Sequence, residues 1–245
     1  MTKFDANWKA EMEDRRAWLA ENGMYSEADE HSSCGVGLVV SIDGQRSRKV
    51  VDNGIDALKA IWHRGAVDAD GKTGDGAGIH IQISPAFFKD QIERTGHAPN
   101  EDELIAVGQV FLPRTDFGAQ EACRTIVEAE ILKMGYYIYG WRQVPVDISC
   151  LGEKANATRP EIEQILLSNS KGVDEETFER ELYVIRRRIE KAASGMKDFY
   201  ICSLSCRSII YKGMMLAEQV AVFYPDLMDE RFESAFALYH QRYST

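Results

Sequence analysis

The stretch EHSSCGVGLVVSIDG, residues 30–44, decides the reading of this chain. A polar run ends in a single thiol, Cys34, and the residues after it change character at once. Val36, Leu38, Val39, Val40 and Ile42 make an apolar, β-branched run that closes on the turn pair Asp43-Gly44, which predicts a strand beginning at Gly35. A cysteine at a strand start can be no more than a small buried residue, because free cysteine is among the most buried residue types. The surrounding sequence has to decide between that and chemistry.

Upstream, Phe4, Trp8 and Met12 recur at four-residue spacing, so residues 4–21 read as an amphipathic helix stopped at Asn22-Gly23. The polar segment SEADEHSS then leads into Cys34. Downstream, Val51, Ile55, Leu58 and Trp62 share one face of a helix over residues 50–62, followed by a glycine-rich loop from Gly65 to Gly78 and the strand AGIHIQI. Helices are expected over residues 85–94, 117–133, 159–168 and 174–193. Strands are expected over residues 104–112, in YYIYGWRQVPV, in FYICSLS and in RSIIYK, and a last helix and strand end in FALYHQRYST. Several strands follow one another without a helix between them. That order favours an α+β sandwich, with helices outside packed sheets, over a doubly wound parallel sheet.

The 245 residues fit one large domain or two small ones, and 44% apolar and 28% charged residues suit a globular protein with a substantial core. A formal charge of −10 argues against nucleic acid and against an anionic membrane surface. No apolar run approaches a membrane span, and the acid-bearing N-terminus is no secretory signal. Five cysteines without such a signal suggest a reducing cytoplasm, and none has the spacing of a zinc site. Cys202 and Cys206 are expected on one side of a common strand. Arg186, Arg187 and Arg188 beside Glu190 read as a solvated or ion-paired helix face and not as an anion site.

HRGAVDADGKTGDGAGI contains Gly71-Lys72-Thr73 and so resembles a phosphate loop. Five residues, however, separate Gly65 from Gly71 where four are needed, and a strand follows where a helix should begin. Asp68, Asp70 and Asp75 lack the Glu of a calcium loop, since Ile79 stands at its twelfth position. A connection whose aspartates satisfy its own backbone is the better reading.

Three segments agree in order and spacing: Cys34-Gly35-Val36-Gly37, LKAIWHRGAVDADGKTGDGAGI, and the terminal His240-Gln241-Arg242-Tyr243-Ser244-Thr245. Together they resemble the class II glutamine amidotransferases, and among them the N-terminal part of the large subunit of bacterial glutamate synthases. The TGDGAGI loop and the long segment between residues 84 and 200 fit the synthases better than the more compact amidotransferases. The resemblance implies a four-layer αββα sandwich of the N-terminal-nucleophile hydrolases, incomplete at its C-terminal side. It also implies a leader over residues 1–33, a cleavage between Ser33 and Cys34, and an amidotransferase domain over residues 34–245.

The same resemblance makes Cys34 the nucleophile toward the side-chain amide of L-glutamine. Arg242 and Thr245 bind the substrate, and Arg64 and Gly65 line its pocket. His63 and His240 are left as structural, and Tyr243 as a wall. The oxyanion-forming Asn-Gly pair of the family would lie beyond Thr245. No cofactor or metal is expected in this segment. FMN and a 3Fe-4S cluster are implied for the remainder of the subunit, and NADPH and FAD for a small NADPH-oxidising partner subunit. An amidotransferase for another acceptor, or a catalytically silent interaction module, stand as alternatives.

Overall fold

The computed structural model describes residues 6–23 and 35–242. Helix α1, Ala6–Asn22, belongs to a unit separate from the body and is described by itself. It stops where expected: the Gly23 N–H returns to the Leu19 carbonyl, and the Asn22 side-chain amide donates to the Trp18 carbonyl. Phe4 lies outside the described residues, as do the side chains of Trp8 and Met12.

The body is built on two antiparallel four-stranded sheets. The first takes β1 (Gly35–Val40), β2 (Ala77–Gln82), β7 (Ser208–Gly213) and β8 (Phe236–Gln241) in the order β1-β8-β2-β7. The second takes β3 (Ile105–Leu112), β4 (Tyr137–Gln143), β5 (Glu161–Ser168) and β6 (Tyr200–Ser205) in the order β4-β5-β3-β6. Helix α2 (Arg48–Ala60) packs on the first sheet, where Gly54 leaves room for Ala237 and Ile79. The opposite face of β1 presents Val36, Leu38 and Val40 to the surface. Helices α4 (Phe117–Lys133) and α6 (Glu175–Ala192) bury Cys123, Val127 and Ile131, and Phe178, Leu182, Ile185 and Ile189, in one cluster with Ala106, Val110, Ile165 and Leu167 of the second sheet. Asp116 and Asp174 cap these two helices by accepting from the Ala119 and Thr177 N–H groups. The alternate residues Ile105, Val107, Ile162 and Leu166 join the other core, with α2, α3 (Pro85–Glu93) and the first sheet. This is the α+β arrangement of two antiparallel sheets with helices packed upon them.

Three expectations are corrected. Residues 159–168 are not a helix: α5 is Glu153–Thr158, and the segment after Arg159 is β5, hydrogen-bonded on both sides. Within it Glu163 and Gln164 are buried and partnered. Glu163 receives Arg124, and Gln164 joins Gln109, Arg142 and Tyr211. Helix α2 ends at Ala60, so Trp62 opens a short 3₁₀ turn and is exposed instead of sharing the apolar face. Strand β6 ends at Ser205, which leaves Cys202 buried within it and Cys206 just beyond, bonded to Glu179. The arginine face of α6 is ion-paired as read, through Arg186 and Arg187 to Glu190.

One buried polar group ties the second sheet to the short helices over residues 217–228. Arg142 of β4 meets Asp226 with two parallel bonds of 2.7 Å. Its remaining donors reach Gln91 at 2.7 Å and Gln164 at 2.8 Å, and Tyr211 donates to Asp226 at 3.2 Å. Every charge in this cluster is answered by a counter-charge and hydrogen bonds, the condition under which buried ions are tolerated.

Candidate active site

The three motif segments converge at one end of the first sheet. Gly35, the first residue of β1, lies directly across from Gln241, the last of β8, and Gln241 faces Ala77 on its other side. Gly35 is there because of the close packing: a Cβ on it would stand 2.7 Å from Ile61 Cδ1 and 3.1 Å from Arg64 Cβ. The 3₁₀ turn Trp62–Arg64 thus lays the stem of Arg64 over the start of β1 and leaves its guanidinium exposed. Gly65 follows, and a Cβ there would be 2.1 Å from the Gln241 side-chain nitrogen.

The glycine-rich loop forms the next wall. Val67 and Gly74 bridge, and Asp68 N–H donates to the Thr73 carbonyl at 2.9 Å. Asp70 organises the tip by accepting from the N–H groups of Lys72 and Thr73 and from the Thr73 hydroxyl. These bonds, the hydroxyl's foremost, hold the Asp70 carboxyl well below the usual carboxylate range. The donors that a phosphate would require are therefore taken, as the sequence reading of a self-satisfying loop expects. Lys154 anchors Asp68 from outside, and Gln219 donates to the Lys72 carbonyl. Gly74 lies flush on the backbone of Met215 and Leu216, where no Cβ fits.

The loop delivers Asp75 to Arg242. Asp75 Oδ1 accepts from the Ala66 N–H at 3.1 Å, and Oδ2 stands 3.3 Å from Arg242 Nε. Arg242 N–H also donates to the Gly76 carbonyl, at 2.6 Å. Arg242 has φ +80°, a left-handed conformation that costs a residue with a side chain about 1–2 kcal/mol. Such strain persists where the surroundings dictate it, and it gathers at functional sites. The Arg242 side chain is about half exposed.

Arg64, Gly65 and Arg242 are thus brought together beside the start of β1. Ser33, Cys34, Tyr243 and Thr245 lie outside the described residues. Two residues at this end had no assigned role in the sequence reading: Asp75, taken there only as part of the loop, and Gln241, passed over inside its motif. Their signal was position alone, one residue before the glycine that bonds Arg242 and one residue before Arg242 itself. His240 points to the other face beside Gly78, and burial with the nearby Lys212 charge lowers its pKa. The remaining thiols are poor nucleophiles. Burial pushes Cys202 up to about 12, burial with Glu179 pushes Cys206 higher still, and Cys123 and Cys150 are raised as well. Among the described residues no three His, Cys, Asp or Glu side chains group as metal ligands, and no helix is long and apolar enough to cross a membrane.

Comparison with known proteins agrees with this geometry. The large chain of an NADPH glutamate synthase from Azospirillum brasilense is 64% identical over 99% of this chain. The corresponding large chain of Bacillus subtilis is 39% identical over 91%, and the ferredoxin-dependent chloroplast enzyme of Spinacia oleracea is 39% identical over 88%. The chain spans only 16%, 15% and 13% of the lengths of these relatives. The family profile of the glutamine amidotransferases class-II matches residues 34–245, beginning at Cys34 itself. By that match over most of its length, and by the convergence of its three motif segments on one sheet end, the chain belongs to the class II glutamine amidotransferases.

Proposed function

We propose that this chain is the glutaminase part of a glutamate synthase large subunit and that Cys34 is its nucleophile. The observation that carries the reading is the assembly of Arg64, Gly65, Asp75 and Arg242 around Gly35, the residue joined to Cys34. An N-terminal cysteine holds both parts of an activated nucleophile. Its α-amine, with a pKa of about 7.7–8.0, can take the proton of a thiol near 8.5. The thiolate sulfur bonds to the side-chain amide carbon of glutamine, the carbon–nitrogen bond breaks, and the proton leaves with ammonia. Water then cleaves the γ-glutamyl thioester to glutamate and restores the thiol. Arg242 presents a planar fork to the substrate α-carboxylate, with Thr245 beside it and Arg64 and Gly65 at the pocket wall.

While the Ser33–Cys34 peptide bond is intact, the nitrogen of Cys34 is a non-basic amide, so residues 1–33 act as a leader whose removal creates the catalyst. In the whole subunit the ammonia passes to 2-oxoglutarate. The reducing chemistry (FMN, a 3Fe-4S cluster, and NADPH and FAD through a small partner subunit) belongs outside this segment, in a cytoplasmic enzyme. The 64% identity to an NADPH enzyme favours that electron donor over ferredoxin.

The test is intact mass, N-terminal sequencing and ammonia release from glutamine, on the full-length subunit, with a glutamine-analogue electrophile as thiol label. A mature chain that begins at Cys34, releases ammonia and is labelled there is the expected result. Full activity with residues 1–33 still attached overturns the α-amine mechanism, and labelling of another thiol overturns the assignment of Cys34.

A further inference from the structure

Asp75 commits each of its polar groups to a different side of the candidate site. Its N–H donates to the Ala66 carbonyl at 3.3 Å, and its Oδ1 accepts from the Ala66 N–H at 3.1 Å. This reciprocal pair ties the loop to the segment that follows Arg64 and Gly65. The other oxygen, Oδ2, stands 3.3 Å from Arg242 Nε. Gly76 completes the hold. At φ +135°, a conformation that only glycine adopts readily, it presents its carbonyl to the Arg242 N–H at 2.6 Å. Two consecutive loop residues therefore fix Arg242, one at its backbone and one at the Nε side of its guanidinium.

A guanidinium offers a carboxylate two forked edges: Nε with one terminal nitrogen, or the two terminal nitrogens together. Asp75 lies against the first of these. A second carboxylate on that edge would meet a like charge, so the bidentate edge left open is the pair Nη1 and Nη2. We infer that Asp75 is a positioning residue of the glutaminase: its carboxylate holds the Nε edge of Arg242, so that the α-carboxylate of glutamine docks end-on against the two terminal nitrogens. This rests on the proposed function. Through Ala66 the same carboxylate links the orientation of Arg242 to the Arg64–Gly65 wall, so one side chain sets both sides of the pocket.

The experiment measures ammonia release by the full-length subunit as wild type, Asp75→Asn, Arg242→Ala and the double variant. The substrates are glutamine and glutamine α-amide, which lacks the carboxylate charge. Asn keeps the size of Asp75 and an oxygen for the Ala66 N–H, but turns a donor toward the Arg242 Nε–H. Its KM for glutamine should rise about fivefold with kcat held, the upper end for a half-exposed ion pair. For the α-amide, wild type and Asp75→Asn should be alike. In the Arg242→Ala background the Asn substitution should change kcat/KM for glutamine by less than about twofold, because nothing remains to be positioned. An unchanged KM for glutamine, an equal loss with the α-amide, or an equal loss in the Arg242→Ala background each overturns the inference. If Asp75→Asn fails to fold, Arg242→Lys decides. A single ammonium cannot serve Asp75 and also fork a carboxylate, so its KM should approach that of Arg242→Ala, and a wild-type KM ends the inference. A wild type that releases no ammonia, or an Arg242→Ala variant with the wild-type KM, sinks the proposed function and this inference with it. Failure of the Asp75 comparisons alone leaves that function standing, so the two failures are distinguishable.

Discussion

Arg242 combines a strained backbone with a proposed substrate contact, and two substitutions separate these roles. Arg242→Ala and Arg242→Gly both remove the guanidinium and its 3.3 Å pairing with Asp75, so that loss cancels between them. What differs is a Cβ held at φ +80°. At an ordinary position Ala is more stable than Gly by about 0.4–1 kcal/mol, because Gly has more freedom to lose on folding. In the left-handed region the order inverts, since the Cβ crowds the following carbonyl at a cost of about 1–2 kcal/mol. The Gly variant should therefore be the more stable of the pair by up to about 1.6 kcal/mol, read as a difference in urea midpoint at equal m-value. Their catalysis should be equally poor. A hydrogen bond to a charged partner contributes about 1.5–3 kcal/mol, so glutaminase kcat/KM should fall about 10- to 150-fold in both, expressed mainly in KM. An Ala variant more stable than the Gly variant would refute the strain argument. An unchanged KM in both would remove Arg242 from the carboxylate site.

Two further outcomes follow from the buried groups. Asp226→Ala strands Arg142, whose side chain is 13% exposed, and should lower stability by about 3–5 kcal/mol, or the melting temperature by about 6–20 °C. The double variant Arg142→Met/Asp226→Leu should recover most of that in the same calorimetric scan, and a double variant no better than the single would show that the charge was not the cost. Asp70→Asn should loosen the loop, seen as faster amide exchange at Lys72 and Thr73. Because the folded carboxyl is depressed, its stabilisation is complete above the unfolded value of about 3.9 and disappears as pH falls through the folded one. The exchange difference between wild type and variant should therefore be constant from neutrality to about pH 4 and shrink only below it; a difference that fades already between pH 7 and 5 would contradict this.

The elements legible in the sequence were those whose local pattern matched their burial. Helix α6, expected over residues 174–193, stands at Glu175–Ala192 with Phe178, Leu182, Ile185 and Ile189 buried, and the loop was read through aspartates that bond their own backbone. Strand β5 was not legible, and the reason is physical. Its pattern puts Glu163 and Gln164 in the middle of a sheet, which only Arg124, Arg142 and Gln109, distant in sequence, make tolerable. A window of sequence cannot contain such a partner, so a buried polar strand reads as a solvated helix. The site obeys the same rule. Arg242 and Gly65 were singled out because motifs carry them, yet neither motif says that Asp75 bonds both the Ala66 N–H and Arg242. Nor does it say that Gln241 faces Gly35 with its amide unmet. Both facts arise where segments some thirty and two hundred residues apart in sequence close on one sheet end, at Arg64 and Gln241 as counted from Cys34. The strain at Arg242 belongs to that closure as well: its N–H is drawn to the Gly76 carbonyl by the loop that delivers Asp75, so the residue proposed to grip the substrate is held in place by the loop's own folding.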